Sequence, residues 1–119
     1  MADSEILELV IGADQSPYWD VTTTPGGATF ENMTGWAMEF DIRRTSDDAL
    51  VLSINGASIS IGADDLGHTG ARATVTIAAA ALAPPAGRDY YGTLWRTGSG
   101  TKTPVWIGPV VLRKAAATA

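Results

Sequence analysis

A chain of 119 residues has the length of one domain and little room for two. It has no cysteine, which excludes disulfides, thiolate nucleophiles and thiolate metal sites. Eight basic against thirteen acidic side chains leave a net charge of −5, which disfavours both nucleic acid and an anionic membrane surface as partners.

Thirteen glycines and six prolines interrupt the backbone often, which favours many short strands over a few long helices. Hydrophobic residues, at 45%, suffice for a real core without staples. No apolar run approaches the ~20 residues that cross a bilayer. Met1-Ala2-Asp3-Ser4-Glu5 is acidic where a secretory leader begins basic, so synthesis in a cytoplasm is expected.

In chain order, Ile6 to Ile11 and Tyr18 to Thr23 read as strands, punctuated by Pro17 and Pro25-Gly26-Gly27. Trp36 to Arg44 is the clearest element. Trp36, Met38, Phe40 and Ile42 face one way and Glu39, Asp41 and Arg43 the other, as a half-buried antiparallel strand requires. Leu50, Leu52 and Ile54 alternate next. Asn55-Gly56 then supplies residues suited to positive φ, and Ser58 to Ile61 resumes the alternation, as a hairpin or a kinked strand. Ala73, Val75 and Ile77 mark another strand. Ala78 to Leu82 is the only helical candidate, a single turn stopped by Pro84-Pro85. Tyr91, Thr93 and Trp95 alternate with Tyr90, Gly92 and Leu94, and a Thr97-Gly98-Ser99-Gly100 turn leads into a last strand from Pro104 to Arg113. About seven or eight short strands without covering helices predict an all-β fold, an Ig-like antiparallel β-sandwich. It forms a single domain over residues 1–119, with 1–5 and 114–119 as tails or assembly arms.

Little in the chain suggests catalysis. His68, the single histidine, follows Asp64 and Asp65, but a metal site needs three or four convergent ligands and a calcium loop needs regular acidic spacing. A solvated loop is the expectation there. Asp47-Asp48 reads the same way, because adjacent carboxylates in a turn point apart. Ser16 and Ser53 lie in no nucleophile elbow, and no helix follows Gly98-Ser99-Gly100 to make a phosphate loop. No catalytic residue, cofactor or metal ligand is expected; an enzyme would require acids such as Asp41 and Asp64 to gather around His68.

The aromatic residues say more. Trp36 shares the apolar face of its strand and reads as core. Trp106 lies between Val105 and Ile107 in a strand apolar on both faces, so that strand is either buried twice or meets a partner. Tyr90 and Tyr91 are neighbours, so at least one points away from the core. Exposed Tyr and Trp anchor protein interfaces and also serve as platforms for sugars. Tyr91, Trp95, Trp106 and the two chain ends are the expected contact elements.

Thr34-Gly35-Trp36, Asp41-Ile42-Arg43, Leu52-Ser53 and Ile59-Ser60-Ile61, followed by Ala86 to Leu94 and Gly108-Pro109-Val110-Val111, together resemble a known pattern. It is that of small bacteriophage tail and baseplate Ig-like domains, similar to the N-terminal domain of phage baseplate upper proteins. The likeness spans roughly Thr34 to Leu112; Gly92 stands where that group often carries Asp. The resemblance implies a non-enzymatic virion structural protein, made in the host cytoplasm, whose partners are other virion proteins and copies of itself. A capsid decoration (cement) protein is the nearest alternative, and a carbohydrate-binding module for host recognition is the alternative from another class.

Overall fold

A computed structural model describes residues 6–24, 27, 29–82, 86–98 and 101–114, and in it the alternating stretches form eight strands. These are β1 (Leu7–Ile11), β2 (Tyr18–Asp20), β3 (Ala37–Arg44), β4 (Leu50–Asn55), β5 (Ile59–Gly62), β6 (Arg72–Val75), β7 (Gly87–Gly98) and β8 (Thr101–Lys114). They make a five-stranded sheet, β1-β8-β7-β3-β4, and a three-stranded sheet, β2-β6-β5. With β2, β6 and β5 as strands B, E and D, and β8, β7, β3 and β4 as G, F, C and C′, this is the order of an Ig-like sandwich. The C′ strand is the addition found in the variable type.

The all-β expectation holds, with one departure from purely antiparallel pairing. β1 lies beside β8 in parallel, from Leu7 opposite Val110 to Ile11 opposite Lys114. Lys114 therefore belongs to a strand and not to a tail. The expected assembly arms at residues 1–5 and 115–119 lie outside the described residues.

Period-two patterning explains the core. Met38, Phe40 and Ile42 are buried together on β3, while Trp36 precedes the strand and is half-buried. Trp19 on β2 crosses the gap between the sheets and packs on Phe40 and Trp106, with 5.2 Å between ring centroids in both pairs. Antibody domains pin their B and F strands with a disulfide. Here three rings join strand B to strands C and G instead, each tilted pair adding about 0.5–1.5 kcal/mol beyond its burial. Tyr90 is inside with 5% exposure, and Tyr91 is outside.

The Asn55-Gly56 turn does not close a hairpin. A 3-10 turn at Gly56–Ser58, with Gly56 at φ +63°, hands the chain from β4 in the large sheet to β5 in the small one. Ala79–Ala81 forms a second 3-10 turn where a single helical turn was expected. β8 starts before Pro104, at Thr101, because Pro104 sits opposite Trp95 at a register shift, where its missing N–H is tolerated. The free edge of β1 is closed by a side chain. The Val10 N–H donates to Oε1 of Gln15, and Gln15 Nε2 donates to the Val10 carbonyl.

Candidate functional site

Directly opposed residues in neighbouring strands share a face, so the pairing register maps the outer side of the large sheet. One row runs Asn55, Glu39, Trp95, Pro104. The next runs Ser53, Asp41, Thr93, Ile107, and a third runs Leu50, Arg43, Tyr91, Pro109. Tyr91 and Trp95, both expected as contact residues, thus stand on one face with Thr93 between them. Ile107 is 46% exposed and Leu50 53% exposed on the same surface.

Trp106 is a correction. It is only 1% exposed and lies in the core against Trp19, so its ring is part of the core and not an outward contact element. Alternation along β8 sends Trp106 and Val110 inward and Ile107 outward; a strand apolar on both faces left that parity open.

The electrostatics of the outer face are uneven. The Tyr91 hydroxyl donates to the Asp48 carboxylate, and this bond, with burial and the Asp48 charge, holds the phenol above its usual 10. The Lys102 ammonium donates to Glu39, which raises its pKa above 10.5, and it lies 5.7 Å from the centre of the Trp95 ring. Arg43 donates to the backbone carbonyl of Asp48. Asp41, at 6% exposure, accepts no side-chain hydrogen bond among the described residues, and its charge acts on the nearby Lys102 ammonium and Tyr91 phenol. The indole N–H of Trp95 is fully buried and meets no acceptor there. A buried polar group left without a partner costs about 1–3 kcal/mol, so this N–H is conspicuous.

The other expected polar residues are loop residues. Asp47 accepts from the Ala49 N–H and pairs with Arg44, and Asp48 takes φ +59° in the β3–β4 turn. Asp64 accepts the backbone N–H groups of Leu66 and His68 and faces the His68 ring at 2.7 Å. That ring stacks on Phe30 with 4.1 Å between centroids. Asp41 is not among their partners, so the acids do not gather around the histidine. Among the described residues, no group of three or more His, Asp or Glu is placed to hold a metal.

A feature not anticipated from the sequence lies where the β7–β8 hairpin meets the β2–β3 connection. A cleft of about 170 Å³ is lined by Thr23, Glu31, Trp36, Arg96, Thr103 and Pro104, and an adjoining one of about 270 Å³ shares Arg96 and Thr103. The Arg96 guanidinium lies 3.9 Å over the Trp36 ring and pairs with no carboxylate among the described residues. One signal was available: Arg96 keeps step with Tyr90, Gly92 and Leu94, which all point inward.

Compared with known proteins, the chain matches no family model, and no curated protein is similar enough to stand as a relative.

Proposed function

We propose that this chain is a non-enzymatic structural protein of a bacteriophage virion, a tail or baseplate component that docks on its neighbours through the outer face of the large sheet. The observation that carries the docking reading is the composition of that face. Tyr91, Trp95, Ile107 and Leu50 offer aromatic and aliphatic area, and the Trp95 N–H is a polar group with no acceptor among the described residues. Interface hot spots favour aromatic anchors such as these. The virion assignment rests on the resemblance of Thr34 to Leu112 to phage tail and baseplate domains. In a symmetric particle, many copies would repeat the contact and multiply a weak interface by avidity.

The test is incorporation into particles. Ile107→Asp places a charge on the exposed centre of the face without entering the core. It is expected to leave the melting temperature unchanged and to remove the protein from purified virions. Normal incorporation would overturn docking through this face. Labelled protein seen over the shell instead of at the tail would favour capsid decoration.

A second reading, glycan recognition, has support from the loop-end cleft, where a stacked Arg96–Trp36 pair meets threonine hydroxyls. Quenching of Trp fluorescence by host surface glycans, lost in Arg96→Gln, would favour it; no change would count against it.

A further inference from the structure

We infer that the loop-end cleft holds a neutral saccharide, with Arg96 donating to its hydroxyl oxygens and Glu31 accepting from its hydroxyl groups. The inference rests on the glycan reading of this cleft, not on docking through the large sheet, and it adds the ligand's charge and the role of each residue. Arg96 and Glu31 line the same space of about 170 Å³, yet they form no ion pair with each other or with any other described residue. Neither side chain makes a hydrogen bond among the described residues; the one contact of the Arg96 guanidinium is with the Trp36 ring. Opposite charges left apart in so small a cleft suit a ligand that offers an acceptor to one and a donor to the other. A guanidinium has only donors and a carboxylate only acceptors, whereas a sugar hydroxyl is both. A simple anion would satisfy Arg96 but meet the charge of Glu31, and a simple cation the reverse.

Both groups are anchored by the fold. Arg96 stands on β7 directly opposite Thr103 of β8, so the Thr103 hydroxyl shares its face. The Arg96 guanidinium lies 3.9 Å over the Trp36 ring, and a guanidinium stacked in this way keeps its in-plane N–H fork free for two neighbouring oxygens. Glu31 is fixed through its backbone N–H, which donates to the Val21 carbonyl at 2.9 Å. Val21, Pro104 and Val105 add apolar surface to the lining, which suits the C–H groups of a sugar ring. The adjoining cleft shares Arg96 and Thr103 and extends the space toward the hydroxyl-bearing Thr97 and Thr101.

The test follows the Trp36 indole N–H resonance of the labelled full chain by NMR during titration with the methyl glycosides of glucose, galactose and mannose. Methyl glucuronide is the acidic control, free glycine the zwitterionic one and cyclohexanol the single-hydroxyl one. A saturable shift with at least one neutral glycoside, exceeding that of every control, is the supporting result. Arg96→Lys keeps the charge but loses the fork, and Glu31→Gln loses the charged acceptor. Each is expected to weaken binding about tenfold while leaving the melting temperature unchanged. Undiminished binding in either variant would overturn the role given to these residues. An equal or larger response to the glucuronide, strengthened by Glu31→Gln, would leave the glycan reading standing and overturn the neutral ligand. No response to any glycoside, or an equal or larger response to glycine or cyclohexanol, would overturn both.

Discussion

The ring of Trp106 lies 3.1 Å from the point where a Cβ on Gly92 would stand, so the glycine is the space into which the tryptophan fits. Val110 and Phe40 close the same space at 3.0 and 3.4 Å. A methyl group there could be relieved only by moving these neighbours, and Trp106, Phe40 and Val110 are at most 1% exposed. Gly92→Ala gains about 0.4–1 kcal/mol from the unfolded chain, against an overpacking cost of roughly 1–3 kcal/mol. Steric cost wins. A lower urea midpoint is expected, and a raised one would show that the aromatic cluster has slack.

Two tryptophans of the large sheet should respond in opposite ways. Trp106→Ala opens a cavity beneath Trp19 and is expected to cost roughly 3–5 kcal/mol of stability, a large share of what a domain this size holds. Trp95→Ala removes a ring from the outer face together with an N–H that has no acceptor among the described residues. Its expected cost is under about 1 kcal/mol, with its main effect on docking. Thermal unfolding of both variants, beside particle incorporation of Trp95→Ala, checks the contrast; comparable destabilisation would place Trp95 in the core.

Acid should act through the β5–β6 loop. Burial pushes the Asp64 carboxyl up, but the His68 backbone and ring and the Leu66 N–H outweigh it and hold the group below 3.8. A depressed pKa in the folded state means the stabilisation is complete above 3.8 and is lost as pH falls through the lower, folded value. Melting temperature measured down through this range should fall more steeply for the native protein than for Asp64→Asn, which has nothing to protonate at that position. Parallel curves would mean that the loop contributes nothing to acid sensitivity.

What the sequence revealed follows from what period two can encode. β3 was legible because Met38, Phe40 and Ile42 face the second sheet while charges face away, so burial and alternation agree. β8 was half legible. Val105, Trp106 and Ile107 are all apolar, so alternation could not say which of them was outside, and a register shift between Leu94 and Trp95 breaks the count further. Asn55-Gly56 announced a turn correctly, but a local signal cannot tell a hairpin from a crossing between sheets, because that depends on which strand waits on the far side. The partnership of β1 with β8 joins residues about a hundred positions apart and leaves no local trace. The Arg96 cleft was missed for the same reason: Glu31 and Trp36 meet Arg96 and Thr103 only once the β2–β3 connection and the β7–β8 hairpin have come together.

Gln15 offers Val10 both an acceptor and a donor, the same two bonds that an incoming backbone would seek. Strand-by-strand zippering at that rim is therefore obstructed by the protein's own amide. Copies crowded together at high local density have no easy route there into fibre-like stacking.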